Sequence, residues 1–284
     1  MLFRSWSRLW GLTFNKNKCT VISLKRQHNA TEFLYSMDNT TLTRTNTIMD
    51  LGVNINNNLK WNTHIQSITS KANQRLWLII RTLGYNAPLK SKTITYCTLS
   101  RSILEYNTVV WSPSTKDNIC MIESVQRKAT NFLTNNPCRP SRHHIDYKER
   151  LLQCNLLPLS YRREIYDIIF FIKSIRGLVS FNILDYISFQ TCNVGRLTRN
   201  MGHGLNLNYP ITSLESSAHF YPYRIARLWN ALPLALRIQL MSPVSLAQIK
   251  SILNNHYKDR LIMVFESNNT CTWVTVCRCT LCRY

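Results

Sequence analysis

Glycine is scarce in this chain, seven among 284 residues, and neither G-x-G-x-x-G nor G-x-x-x-x-G-K-S/T occurs. Without such loops to bring backbone amides onto a pyrophosphate, dinucleotide-binding and nucleotide-hydrolysing folds are disfavoured. Acid is scarce as well: 14 Asp and Glu stand against 35 Lys and Arg, a formal charge of +21. A field of that sign attracts polyanions and repels basic partners, so nucleic acid is the leading partner class. No apolar run approaches the ~18 uninterrupted residues that cross a bilayer; the greasiest, Ile165 to Ile172, contains Asp167. Nothing resembles a G-x-S-x-G nucleophile turn, which leaves a hydrolase reading without support. Arg4 and Arg8 interrupt the N-terminal apolar stretch, so a cleaved secretory leader is not expected. Ten cysteines without such a leader imply a reducing compartment, where thiols are free or bind metal. The expectation is an intracellular protein, in nucleus or cytoplasm, without a membrane partner or a small-molecule substrate.

What is present suffices to fold. Hydrophobic residues make up 45% of the chain, more than disordered segments carry. The interval between Asp50 and Glu105 holds no acid and seven Lys or Arg. Within it Trp61, Ile65, Ile68, Ala72, Leu76, Ile79 and Leu83 recur at steps of three and four, the stripe of an amphipathic helix. Lys71 and Arg75 lie one turn apart beside that stripe, placed to meet successive phosphates, although a solvated basic face has the same pattern. Gly84 and Pro88 end this helix and open another, from Pro88 to about Tyr106. Ser114 is placed to cap a third, with Ile122, Val125, Ala129, Phe132 and Leu133 at helical spacing before Pro137 and Pro140. Upstream, Cys19 to Leu24 and Ile48 to Leu59 read as strands, the second leading into a turn at its asparagine cluster. Downstream, Tyr147 to Cys154, Ser160 to Ile175 and Pro243 to Tyr257 read as helices. The fold class is α+β, mostly α. Its expected parts are a β-containing segment 1–60, a helical segment 61–136, a helical region 137–258 with a long loop 177–217, and a Cys-rich tail 259–284.

Four stretches carry a resemblance. They are WGLTFNKNKC (Trp10 to Cys19), DLGVNINNNLKWNTHI (Asp50 to Ile65), LSRSILEYNTVVWSP (Leu99 to Pro113) continuing into IESVQRKATNFLT (Ile122 to Thr134), and YPYRIARLWNALP (Tyr221 to Pro233). With ERLLQCNLLPLSYRREIYDIIFFIKSIRG (Glu149 to Gly177), their order and spacing resemble the C-terminal part of a non-LTR (LINE-type, jockey-like) retrotransposon reverse transcriptase, over nearly the whole chain. The resemblance implies an end-of-palm remnant in 1–60, a thumb in 61–136 and a C-terminal region beyond. It places Leu51, Gly52 and Val53 in the hairpin that grips the primer terminus, where a residue without a side chain lets backbone approach nucleic acid closely; an ordinary strand-end glycine needs no such ligand. It also makes Lys71, Arg75, Arg81, Lys90 and Lys92 candidates for contact with an RNA or DNA template-primer. The family's polymerisation uses paired metal ions on palm carboxylates, expected upstream of WGLTF. No Asp-Asp pair occurs here, and Asp38, Asp50, Asp117, Asp146, Asp167, Asp185 and Asp259 are isolated. The resemblance thus implies a truncated reverse transcriptase (RNA-directed DNA polymerase) that retains nucleic-acid binding, with no catalytic residues and no catalytic magnesium in this chain.

Cys271, Cys277, Cys279 and Cys282 form a C-x5-C-x-C-x2-C pattern in the tail. Four thiolates suit tetrahedral zinc, the candidate cofactor, and Arg278 and Arg283 among them would lend such a module a nucleic-acid face; free thiols are the competing reading. His143 and His144 are adjacent, so their side chains diverge, and a loop-surface pair is the preferred account. Trp229 reads as a packing anchor, while Arg224 and Arg227 either reach phosphates or are solvated. Two other readings of the whole are a zinc-dependent docking module for nucleic acid or protein, and a decayed element product with no activity.

Overall fold

A computed structural model of the chain describes residues 2–24, 33–37, 39–135, 145–190, 205–209 and 220–266. Its helices carry the architecture, and the strands form only two-stranded pieces, so the class is α+β, mostly α. The chain divides into two units, Met1–Ser67 and Ile68–Tyr284, with the boundary inside a helix, seven residues beyond the expected division at 60/61.

The first unit opens with helix α1 (Leu2–Leu9). Strand β1 (Thr20–Val21) pairs in parallel with β4 (Thr43–Arg44), and β2 (Ser36–Met37) pairs antiparallel with β3 (Thr40–Thr41). The longest pairing is the hairpin of β5 (Thr47–Asp50) and β6 (Val53–Asn56), with Asp50 opposite Val53. Its two-residue turn is Leu51–Gly52, at φ +45° and +82°. Positive φ at both central residues gives the turn the backbone twist that a tight hairpin requires. The turn expected at the asparagine cluster follows β6 at Asn57–Asn58, closed by the Leu59 N–H on the Asn56 carbonyl (2.9 Å); the turn at Leu51–Gly52, which divides the expected strand Ile48 to Leu59, was expected only from the resemblance. Asn54 and Asn56 lie within β6, and the Asn56 amide donates to the Lys60 carbonyl (3.2 Å) and to Thr63 Oγ1 (2.9 Å). These asparagines tie the hairpin to the start of the next helix.

That helix, α2 (Asn62–Leu83), realises the apolar stripe: Ile65, Ile68, Ala72, Leu76 and Ile79 are all buried. In the second unit, α3 (Leu89–Tyr96) continues through one widened π turn, Cys97–Arg101, into α4 (Ser102–Glu105). Within that turn Ser100 is buried, and its hydroxyl donates to the Ala72 carbonyl of α2 at 2.9 Å, which ties the two helices together. A short helix α5 (Thr108–Trp111) precedes α6 (Lys116–Leu133). The N-cap of α6 is Thr115 rather than Ser114, and it makes no side-chain capping bond. Next come α7 (Tyr147–Gln153), capped by Asp146, and α8 (Leu159–Ile175).

Helix α8 is the centre of this unit, because it is buried on nearly every side: Tyr161, Arg163, Ile165, Asp167, Ile168, Phe171, Ile172 and Ser174 are all sequestered. A helix covered all round must be packed on several partners, and α8 meets α4, α5 and α6 as well as the C-terminal helices α9 (Tyr221–Ala231) and α11 (Leu246–Glu266). Its N-cap, Pro158, has no capping side chain. Glu123 of α6 supplies the missing acceptor, taking the Leu159 N–H at 3.1 Å and the Tyr147 hydroxyl at 2.5 Å. First-turn amides of a helix need such an outside partner, and a carboxylate also suits the positive end of the helix dipole. Several helices differ from the sequence reading, which expected neither α1 nor α5. Helix α10 (Leu234–Met241) was not expected, and α11 runs on to Glu266, so the tail boundary at 259 falls inside it. The expected loop 177–217 holds a 3-10 turn at Ile183–Asp185 and strand β7 (Ser188–Phe189), paired with β8 (Leu207–Asn208).

Candidate nucleic-acid interface

The outer side of α2 gathers the cations that the sequence singled out. Lys71, Arg75 and Arg81 are exposed, while the stripe on the opposite side is buried. At ~1.5 Å per residue, the three span about 15 Å along the helix axis. All three lie in the second unit. No salt bridge among the described residues engages them. Their charge is therefore presented to solvent. Lys90 is exposed at the start of α3, on a separate helix. Leu51 and Gly52 are exposed at the hairpin turn and Val53 is buried, 3% exposed, in the first unit. The backbone at Leu51 is unusual, since a left-handed conformation at a branched residue is uncommon and costs local strain.

Lys92 does not belong with this set. It is 1% exposed, and its ammonium donates to Asn135 Oδ1 at 2.6 Å, to the Tyr85 carbonyl at 3.3 Å and to the Phe132 carbonyl at 3.4 Å. Burial pulls its pKa below that of an ordinary lysine. The side chain serves the carbonyl end of α6, where a cation satisfies unpaired acceptors and the negative end of the helix dipole. A phosphate could reach it only by displacing these bonds, so the sequence assignment of Lys92 to the nucleic-acid surface is corrected to an internal tie.

Arg224 is corrected in the same way. Its guanidinium is held between Asp167, at 2.9 and 3.1 Å, and the Val109 carbonyl at 2.8 Å. Asp167 is 3% exposed; burial pushes its carboxyl above the usual range, and Arg224 pulls it back. Arg227 is exposed. Three further acids are engaged internally. Glu105 accepts a forked pair of bonds from Arg162 and a third from the Tyr166 hydroxyl at 2.9 Å. Glu123 caps α8, and Glu164 accepts from the Tyr257 hydroxyl at 2.7 Å. Four acids of the second unit are thus engaged internally, two of them through hydrogen bonds from arginines, while Asp117, Asp146, Glu149, Asp185 and Asp259 are exposed.

Sequence reasoning missed Trp77, which is 72% exposed on α2. The signal was present: position 77 falls off the apolar stripe, but the greasy run Leu76 to Ile80 conceals it. Among the described residues no group of three His, Cys, Asp or Glu is placed to hold a metal ion. Cys271, Cys277, Cys279, Cys282, His143 and His144 lie outside the described residues. No described helix is long and apolar enough to cross a membrane. Comparison of the chain with protein-family models, with curated proteins and with solved structures gives no match.

Proposed function

We propose that this chain is the C-terminal part of a non-LTR retrotransposon reverse transcriptase, and that it holds RNA or DNA by the phosphate backbone without copying it. The observation that carries the reading is the exposed arc of α2, where Lys71, Arg75 and Arg81 stand on an interval of sequence without acid. Duplex DNA carries one charge per ~1.7 Å of axis, so a cationic edge about 15 Å long faces several phosphates at once. Neutralising them releases condensed counterions, which drives binding without reference to base sequence. The ordered motifs support the family assignment, and the lack of any acid between Asp50 and Glu105 supports a face left free for anions. Polymerisation is not part of the proposal, because no Asp-Asp pair is present.

The test is fluorescence anisotropy with labelled oligonucleotides of unrelated sequence. The triple variant K71A/R75A/R81A is expected to raise Kd for every sequence by a similar factor, on the order of tenfold, since backbone contacts carry no base information. An unchanged Kd, or a loss confined to one sequence, contradicts the reading.

A further inference from the structure

We infer that Trp77 is a stacking platform for an unpaired base, so that the α2 face prefers single strands or single-stranded ends over uninterrupted duplex. The inference rests on the phosphate-holding reading of the same face and adds to it a ligand class.

Large aromatic side chains are normally covered in a folded chain, because each removes a large apolar area from water. Trp77 is 72% exposed although it sits mid-helix on an element whose other side is packed. Among the described residues no aromatic ring contact or cation–π contact engages its indole. Its surroundings decide what covers it. At ~100° per residue, the solvent arc of α2 has Arg75 and Lys71 towards one edge, Trp77 at the other, and Leu78, Gln74 and Arg81 between them. Arg81 lies one helical turn beyond Trp77, and no acid occurs anywhere in the interval that contains α2.

That arrangement matches the two sides of one nucleic-acid strand. Phosphates along the Lys71–Arg75 edge direct the bases across the helix towards the indole. A cationic groove with an aromatic platform is the general recipe for single-strand binding, and it tolerates any sequence because every base has a π face. Leu78, 48% exposed, extends the apolar part of the platform. A base inside a continuous duplex is already stacked and offers no free face, so the indole adds nothing there. An apolar protein partner is a poorer occupant, since it would have to bury Arg81 and Gln74 together with the ring.

The experiment measures Kd of the full chain for a labelled single strand and for a blunt duplex of equal length, in the same buffer, for wild type, W77A, W77F and K71A/R75A. W77A is expected to weaken single-strand binding roughly 5- to 150-fold, the range of one lost base stack, and to leave duplex binding within about twofold of wild type. W77F retains most of the single-strand affinity, and K71A/R75A weakens both ligands alike. Because the ring is on the surface, W77A keeps the wild-type circular dichroism and melting temperature. Equal effects of W77A on the two ligands, or no effect on the single strand, overturn the inference while leaving the phosphate reading intact. A wild-type chain that binds neither ligand at low salt overturns both. Loss of self-association in W77A with unchanged single-strand binding assigns the ring to a second copy of the chain and also overturns the inference.

Discussion

Replacing Trp229 by alanine is expected to lower the stability of the full chain by about 3 to 5 kcal/mol, the range for deleting a large aromatic from a packed core. The side chain is fully buried, packs tilted against Phe171 of the central helix with ring centroids 4.9 Å apart, and donates its indole N–H to the Leu205 carbonyl at 2.8 Å. Alanine leaves a cavity beside α8 and strands that carbonyl, and the two losses act together. Phenylalanine refills much of the volume but not the hydrogen bond, so W229F is expected to recover most of the loss and to remain short of wild type by about 1 kcal/mol. Urea unfolding followed by circular dichroism reads both; a W229A variant as stable as wild type contradicts the packing described for α8, α9 and the segment around Leu205.

Asp167→Ala carries the next largest effect. The carboxylate lies deep in the unit and shares its charge with Arg224, whose side chain is 17% exposed. Arg163, 5% exposed, is a second cation that feels Asp167, and burial lowers its pKa despite the neighbouring acids. Removing the acid leaves the Arg224 guanidinium with the Val109 carbonyl but no counter-charge and takes away one of the acids that act on Arg163, and breaking a buried pair from one side costs about 3 kcal/mol or more. Double replacement, Asp167→Ala with Arg224→Met, is expected to be less damaging than Asp167→Ala alone, because the stranded charge goes with it. A pair of single variants whose losses simply add in the double variant contradicts the coupling.

The helices were legible because their burial follows a local rule. Ile65, Ile68, Ala72, Leu76 and Ile79 recur at three and four, and those are the residues that α2 buries. The same rule located α6 and α8. What it could not supply is the identity of distant partners. Lys90 and Lys92 are two positions apart and alike in sequence, yet Lys92 is internal because Phe132 and Asn135, some forty positions on, offer it oxygen ligands. Arg224 and Asp167 are separated by 57 positions and carry no local sign of pairing. The turn after β6 was legible because asparagine is a usual turn former, whereas the residue pattern did not show the turn at Leu51–Gly52, because a leucine rarely adopts the positive φ that it takes here. Two-residue strands such as β1 and β4 have too few positions to show an alternation. The basic character of α2 was legible from composition, and the exposure of Trp77 was legible only from its position off the apolar stripe, which the surrounding run Leu76 to Ile80 conceals.

The most direct test of the account is the salt dependence of binding. With three phosphates neutralised by Lys71, Arg75 and Arg81, raising the salt from about 50 to about 200 mM is expected to weaken duplex binding roughly 40-fold, a logarithmic slope near −2.7. In K71A/R75A/R81A the slope flattens towards zero. A wild-type slope that is already flat, or one that the triple variant leaves unchanged, contradicts the claim that this face of the helix holds a nucleic-acid backbone.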